Sequence, residues 1–241
     1  MNAIEARGLS KHYGTKTALD ALDLTVAEGE LFALLGINGA GKTTAIKLLS
    51  CLISPTAGTA SIFGHDILTD TQAAKGLLAT SPQETAVAPN LTVQENLELM
   101  AGIYGAAPKA AKAKAAEMVE RFQLEEYQKT AAKKLSGGWQ RRLSIAMALI
   151  SEPKLLFLDE PTLGLDVLAR RELWAIIRSL KSKTTIILTT HYLEEAEALS
   201  DRIGILSAGK LKALGTAEEL MAQANANTFE DAFIILAGGA V

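Results

Sequence analysis

The sequence comprises 241 residues, of which 49% are hydrophobic and 21% are charged, so it falls in the ordinary globular class rather than the disordered class. Its formal net charge of −3 argues against a protein that coats nucleic acid, and we predict no nucleic-acid partner. The longest stretch without Asp, Glu, Lys or Arg, residues 48–65, contains Pro55, Gly58 and Gly64, so no membrane span is predicted.

The first quarter of the chain carries short segments that are typical of β-strands. Residues 4–9, 22–26 and 60–63 are rich in Leu, Ile, Val and Ala. Gly8, Gly29 and Gly58 lie where we expect these segments to begin or end, because glycine is frequent in turns. We therefore predict three short strands separated by turns.

Three further segments, residues 31–35, 155–158 and 185–189, are apolar without alternation. Continuous apolar strands are typical of a parallel sheet that is covered on both faces. Apolar residues at helical spacing follow the first two segments: Ala45, Leu48, Leu49 and Leu52, and then Leu173, Ile176, Ile177 and Leu180. A strand followed by a helix, repeated along the chain, predicts an α/β fold.

The middle of the chain, residues 93–149, is rich in Ala, Lys and Glu, with Met118, Val119 and Phe122 at helical spacing. We predict a mostly helical insertion between two halves of the sheet. Residues 228–241 are predicted to form a packed last turn rather than a separate module.

A glycine-rich loop is the first motif that indicates chemistry. Residues 36–43 fit the pattern G-x-x-x-x-G-K-[ST], directly after a predicted strand and at the start of a predicted helix. Glycines let backbone N–H groups approach phosphate oxygens, while Lys42 supplies a cation and Thr43 a hydroxyl ligand for Mg²⁺. The alternative is a glycine-rich turn with an incidental lysine, but the flanking strand and helix favour a nucleotide site.

Two acids, Asp159 and Glu160, come at the end of the predicted strand 155–158. Ligands of open α/β sheets bind beyond the carboxyl ends of the strands, which places this pair beside the phosphate loop. Asp159 is suited to hold Mg²⁺, directly or through water, and Glu160 to act as a general base on an attacking water. The alternative is a solvated strand end. Together with the phosphate loop, the pair predicts hydrolysis rather than binding alone.

A second candidate anion site begins at Ser136, Gly137 and Gly138, which precede helix-like sequence ending at Ile150. With this second loop, the sequence resembles the ATP-binding cassette (ABC) family. The resemblance covers nearly the whole chain, and the motifs occur in the family's order.

The resemblance assigns roles to residues that the pattern alone leaves open. It implies that Tyr13 stacks on adenine, that Gln83 touches Mg²⁺ or the attacking water, and that His191 is a switch histidine near the γ-phosphate. Asp166 lies in the segment that matches the D-loop. The implied nucleotide-binding set of the phosphate loop is Asn38, Gly39, Ala40, Gly41, Lys42, Thr43 and Thr44. Without the family context, Tyr13 is a surface or core aromatic, and His191 a structural histidine.

The resemblance also implies the architecture and the assembly. It predicts a single domain, residues 1–241, with a RecA-like core of mostly parallel sheet at about 1–84 and 150–225. An N-terminal antiparallel β part, a helical subdomain at about 85–149 and a short C-terminal tail complete it. Two such subunits work head to tail, so that Ser136, Gly137 and Gly138 bind the γ-phosphate of ATP held by the other subunit.

Three positions depart from the family's usual pattern. Trp139 stands where the signature usually has glutamine, Ile37 where the phosphate loop often has proline, and Leu163 where the D-loop often has serine. Because the anion-binding donors come mainly from serine and glycines, we expect binding to survive the first change.

These motifs predict an ATP-hydrolysing subunit of an ABC transporter, with ATP and Mg²⁺ as cofactors. It would form a homodimer or heterodimer with a second ABC subunit and bind a separate membrane permease at the cytoplasmic face of the cell membrane. Residues 81–97 and 230–233 look like cassettes that pair with ABC-2-type export permeases, so export is favoured. An importer subunit, a soluble ABC ATPase and a non-hydrolysing scaffold are the alternatives; the scaffold would require the loss of Glu160.

Overall fold

The computed structural model describes residues 1–239; Ala240 and Val241, the end of the predicted C-terminal tail, lie outside the described residues. Ten strands and nine α-helices are found in the described part. The strands are β1 Asn2–Tyr13, β2 Lys16–Ala27, β3 Leu31–Leu35, β4 Ala57–Ile62, β5 His65–Asp66, β6 Leu78–Ser81, β7 Leu155–Asp159, β8 Thr185–Thr190, β9 Arg202–Ser207 and β10 Lys210–Gly215. The helices are α1 Lys42–Leu49, α2 Thr71–Gly76, α3 Val93–Ile103, α4 Pro108–Arg121, α5 Gly137–Leu149, α6 Val167–Leu180, α7 Leu193–Leu199, α8 Ala217–Ala224 and α9 Phe229–Leu236.

The larger sheet has six strands in the order β10-β9-β3-β8-β7-β6, and only the β9–β10 pair in it is antiparallel. Strands β3, β7 and β8 are buried along their whole length, as their uninterrupted apolar sequences predict. Because these strands are parallel, the loops that follow them open at the same edge of the sheet. The predicted α/β fold with a mostly parallel sheet is confirmed.

The smaller sheet is antiparallel, in the order β2-β1-β4-β5. The strand ends in this sheet differ from the predicted ones. Strand β1 continues through Gly8, which adopts φ +58° at an irregularity of the pairing, and β4 begins before Gly58. A Cβ on Gly58 would lie 2.2 Å from the carbonyl oxygen of Gly8, so the glycine allows the two strands to approach at this point.

Helices α3, α4 and α5 follow the first half of the sheet and pack around Leu97, Met118 and Phe122, which are all buried. Helix α5 also contacts β6, β7 and α6, so this helix joins the inserted segment to the core. One predicted helical residue is corrected. Helix α1 ends at Leu49, and Leu52 lies beyond it with 62% of its surface exposed.

The C-terminal part of the described chain forms a third apolar cluster. Helices α8 and α9 pack against β3, β9 and α7 through residues that include Leu220, Phe229 and Ala232. The predicted last turn is therefore a packed helix of eight residues, Phe229–Leu236. No helix within residues 1–239 is both long and apolar enough to cross a membrane.

Candidate nucleotide-binding site

The phosphate loop connects β3 to the N-terminus of α1, and two of its glycines are required by their surroundings. Gly41 has φ +109°, and a Cβ there would lie 2.6 Å from the carbonyl oxygen of Ala18. A Cβ on Gly36 would lie 2.4 Å from the carbonyl oxygen of Leu206. The loop thus presses against β2 and β9, an approach that a side chain at either glycine would prevent.

Lys42 is the first residue of α1, and its side chain is 5% exposed. Its Nζ donates to the carbonyl oxygens of Gly36 at 2.7 Å and of Ile37 at 3.2 Å. The same Nζ lies 3.4 Å from Oε1 of Glu160. The lysine is therefore held across the loop and carries its charge toward the carboxylate that follows β7.

Asp159 and Thr43 provide the oxygens that fit a magnesium ion. The Thr43 hydroxyl donates to Oδ2 of Asp159 at 3.2 Å, so the two side chains meet between the phosphate loop and β7. Within residues 1–239 no cluster of three or more His, Cys, Asp and Glu side chains is placed to hold a metal. Mg²⁺ is commonly bound by one or two protein oxygens together with phosphate oxygens and water, which this pair of hard oxygen ligands suits.

Glu160 adopts φ +46°, which is uncommon for a residue with a side chain. Its N–H is held by Thr189, through the hydroxyl at 3.1 Å and the carbonyl at 3.1 Å. Oε1 of Glu160 lies close to Lys42 and also 3.3 Å from Nδ1 of His191. The contact with His191 does not have the geometry of a hydrogen bond. Two residues from separate segments of the chain, Lys42 and His191, thus converge on one buried carboxylate oxygen.

A groove of about 610 Å³ runs along the phosphate loop. Most of the predicted nucleotide and catalytic residues line it: Asn38, Gly39, Ala40, Gly41, Lys42, Thr43, Thr44, Gln83, Glu160 and His191. The prediction of site residues missed six others: Lys16, Thr17 and Ala18 of the β1–β2 hairpin, Leu163 after β7, and Ala208 and Gly209 of the turn after β9. Lys16 is exposed and faces this groove.

Gln83 follows β6, and a buried arginine holds its backbone. Arg141 of α5 donates to the carbonyl oxygens of Pro82, at 2.6 Å, and of Gln83. Burial lowers the pKa of Arg141 from its ordinary value, and the charge of Asp159 opposes this shift. Sequence spacing offers no signal for this contact, because 58 residues separate Gln83 and Arg141.

The residues of the second loop stand apart from the phosphate groove. Ser136 is the N-cap of α5, but its side chain makes no capping hydrogen bond and is exposed. Gly137 lines a neighbouring groove together with Gln83 and Leu163, whereas Ser136 and Gly138 are absent from the lining of the phosphate groove. Within one chain, the two predicted phosphate-binding loops therefore face different openings.

Tyr13 and Asp166 are the remaining predicted nucleotide residues, and neither lines the phosphate groove. Tyr13 is 49% exposed and pairs with Lys16 across the β1–β2 hairpin. Of these two residues, Lys16 faces the groove and Tyr13 does not. Asp166 is the N-cap of α6, and its Oδ1 accepts from the N–H groups of Leu168 and Ala169. The structure thus gives Asp166 a capping role.

The arrangement of the phosphate loop, the carboxylate pair and the second loop matches a known family. The sequence model described as ABC transporter matches residues 19–163. The chain belongs to the ABC transporter family. The predicted family is confirmed, and this chain is an ATP-binding subunit of the ABC type.

Relatives extend the match over most of this ABC subunit. It is 45% identical over 222 residues to the daunorubicin resistance ATP-binding protein DrrA3 of Streptomyces coeruleorubidus, covering 92% of this chain and 70% of that protein. It is 38% identical to the linearmycin resistance ATP-binding protein LnrL of Bacillus subtilis, covering 93% and 73%. The probable multidrug ABC transporter ATP-binding protein YbhF of Escherichia coli is 42% identical, and the chain spans 41% of its length.

Solved structures agree with the fold. An ATP-binding subunit of an ABC transporter superposes with a TM-score of 0.85 at 31% identity, covering 97% of this chain and 99% of that one. A dimeric ATP-binding cassette in a post-hydrolysis state with ADP and Pi superposes with a TM-score of 0.80 at 26% identity, covering 88% and 98%.

The unusual signature residue of this ABC subunit has a local packing role. The Trp139 ring lies 4.6 Å from the Tyr127 ring, centroid to centroid, and the guanidinium of Arg142 lies 4.4 Å from the tryptophan ring. The next residue, Gln140, donates to the carbonyl oxygens of Ala132 and Leu135. Trp139 therefore packs against the helical segment, while Gln140 braces the loop before α5.

Proposed function

We propose that this ABC subunit binds ATP with Mg²⁺ and hydrolyses it at a site shared with a second subunit, and that hydrolysis powers a membrane exporter. The observation that carries the catalytic part is the convergence on Oε1 of Glu160, with Lys42 Nζ at 3.4 Å and His191 Nδ1 at 3.3 Å. A carboxylate between a phosphate-binding lysine and a histidine is placed to take a proton from water beside the γ-phosphate.

The remaining roles follow from the positions of the groups. The backbone of the phosphate loop and Lys42 bind the β- and γ-phosphates, and Thr43 with Asp159 holds the metal. When bound, Mg²⁺ neutralises charge on the phosphate oxygens. Glu160 orients the attacking water and accepts its proton, His191 donates toward the γ-phosphate, and Gln83 reaches the water or the metal from the groove wall.

The second subunit completes the site. In our proposal, Ser136, Gly137 and Gly138 of one chain face the γ-phosphate held by the phosphate loop of the other. The separation of these two loops within one chain supports this arrangement, as does the structural similarity to a dimeric cassette. We further propose that Tyr13 reaches the adenine from the hairpin that carries Lys16, and that Asp166 contributes through the D-loop backbone that it caps.

The export function rests on the relatives. Proteins that are 38% to 45% identical are named for resistance to daunorubicin and linearmycin. We propose that this subunit likewise drives export of a small-molecule drug, acting at the cytoplasmic face of the membrane through a separate permease. We also propose that residues 85–149 form the helical subdomain and that about 1–84 and 150–225 form the nucleotide-binding core.

The test is transport by the assembled complex. The chain is co-expressed with the multi-span membrane protein that co-purifies with it, and everted vesicles are supplied with daunorubicin, ATP and Mg²⁺. If the complex is an exporter, daunorubicin should accumulate inside the vesicles in an ATP-dependent manner, and it should not accumulate when the subunit carries Glu160→Gln. Co-purification with an extracytoplasmic solute-binding protein would instead indicate an importer, and association with ribosomes a soluble ABC ATPase.

A further inference from the structure

We infer that Thr189 is a positioning residue that sets the orientation of both carboxylates of the ATPase site, Asp159 and Glu160; the inference rests on the proposed function. Strands β7 and β8 are parallel neighbours, and their register pairs Asp159 with Thr189. Both side chains are buried, with Thr189 at 0% exposure. The hydroxyl of Thr189 is therefore confined to the space between the two strands, at the edge where the site opens.

One hydroxyl makes two contacts there. Thr189 Oγ1 donates to Oδ1 of Asp159 and accepts from the N–H of Glu160 at 3.1 Å. The other oxygen of Asp159 accepts from Thr43 at 3.2 Å. Donors on both oxygens fix the rotation of the Asp159 carboxylate, and the side that faces Thr43 is the side suited to Mg²⁺.

The second contact acts on backbone geometry. Glu160 has φ +46°, and such a conformation persists only where neighbouring groups hold it. Thr189 supplies the acceptors for the Glu160 N–H, through both its hydroxyl and its carbonyl oxygen. Loss of the hydroxyl would remove one of these acceptors and the only donor to Oδ1 of Asp159 among the described residues. Metal affinity and water activation would then weaken together.

The experiment compares Thr189→Val, which keeps the shape and removes the hydroxyl, with Thr189→Ser, which keeps the hydroxyl. Thr185→Val is the matched control, because Thr185 lies on the same strand, is equally buried, and accepts from the N–H of Gly29 at the far end of β8. For each variant, phosphate release is measured against Mg²⁺ concentration. Binding of a fluorescent ATP analogue is titrated with Mg²⁺ and with EDTA.

For Thr189→Val we expect the Mg²⁺ concentration at half-maximal hydrolysis to rise by on the order of ten-fold and turnover to fall by a similar factor. Binding of the analogue in EDTA should be unchanged, while its enhancement by Mg²⁺ should weaken. Thr189→Ser and Thr185→Val should resemble the wild type in all three measurements. If Thr189→Val does not fold, Thr189→Ala replaces it as the variant without the hydroxyl and is compared with Thr189→Ser.

Two results would overturn the inference: wild-type Mg²⁺ dependence in Thr189→Val, or equal shifts in Thr189→Ser or Thr185→Val, which would indicate packing alone. If the wild-type complex does not hydrolyse ATP, the proposed function fails. The Mg²⁺ enhancement of analogue binding then still tests Thr189 separately.

Discussion

Lys42 and Glu160 form a buried ion pair, with Nζ 3.4 Å from Oε1 and side chains that are 5% and 10% exposed. A buried charge that loses its partner is costly unless other groups compensate it. Lys42 has such groups, the carbonyl oxygens of Gly36 and Ile37. Neutralising Glu160 therefore leaves the lysine held in the loop, and the two residues can be tested separately.

Replacement of Glu160 by Gln should allow ATP binding and trap an ATP-bound dimer. The amide keeps the size of the side chain but cannot accept the proton of the attacking water, so the closed dimer persists. Size-exclusion chromatography with ATP and Mg²⁺ should show a dimer for the variant and a monomer without nucleotide. Only monomer at high protein and ATP concentration would argue against the shared site.

Replacement of Lys42 by Ala should abolish hydrolysis because the cation that faces the β- and γ-phosphates is lost. We expect turnover in the partner-bound complex to fall by at least about a hundred-fold, the range seen when a preorganised donor to a transition state is removed. Lys47→Ala is the matched control, since Lys47 is an exposed lysine in the last turn of the same helix and does not line the groove, and it should retain most of the activity. Near-normal turnover of Lys42→Ala would refute the phosphate-loop assignment.

Replacement of Ser136 by Ala should reduce hydrolysis while leaving stability and nucleotide binding by the single chain unchanged. N-cap replacement usually costs about 1 kcal/mol, but the Ser136 side chain makes no capping bond here. Thr216→Ala is the contrasting control, because Thr216 accepts from the N–H of Glu219 at 3.2 Å. Thermal unfolding should show a loss for Thr216→Ala only. Equal loss of binding and hydrolysis in Ser136→Ala would contradict a site shared between chains.

Glu195 of α7 gives a prediction for pH. Its side chain is buried, and Oε1 accepts from Thr162 Oγ1 at 2.8 Å and from Trp174 Nε1 at 3.0 Å. Oε2 has no hydrogen-bond partner among residues 1–239. Burial raises the pKa of Glu195 above its ordinary value, although the hydrogen bonds from Thr162 and Trp174 and the charge of Arg170 lower it in part. The folded protein therefore binds this proton more tightly than the unfolded chain does.

Stability linked to Glu195 is present below the ordinary glutamate pKa and is lost as pH rises through the raised pKa of the folded state. Replacement of Glu195 by Gln should remove this loss, so the unfolding free energy of the wild type should fall relative to the variant as pH increases. Urea unfolding across that pH range measures it. Glu194→Gln is the control, because Glu194 is 75% exposed and its ion pair with Arg170 contributes little. Parallel curves for wild type and Glu195→Gln would contradict the prediction.

Much of the sheet could be predicted because its central strands carry continuous apolar runs. Strand β3 has the predicted bounds, and β7 and β8 each extend one residue further. Strands β9 and β10 were not predicted. The end residues of β9 are only partly buried, and burial along β10 alternates irregularly, so the two sequences show weak strand periodicity. The pairing through Gly8 was also missed, since a bulge in β1 depends on the close approach of Gly58 from β4.

The candidate site was predictable where its residues are neighbours in sequence, as in the phosphate loop and the pair Asp159–Glu160. It was not predictable where strand register or the packing of a helix on the sheet brings distant residues together. Thr189 meets Asp159 across 30 residues, and Arg141 meets Gln83 across 58. Lys16 enters the groove because the hairpin folds over the loop. Such contacts form only when the sheet and its helices pack, and no local sequence pattern predicts which distant residues will meet.

The role of Glu160 is tested most directly by phosphate release per molecule of bound ATP, in the partner-bound complex with Mg²⁺, for the wild type and for Glu160→Gln. Binding of ATP should be alike in both. If Glu160 is the general base, the wild type should release phosphate continuously and the variant should lose at least about a hundred-fold in rate. Equal phosphate release by the two proteins would contradict this role, because Glu160 would then not be the group that activates the attacking water.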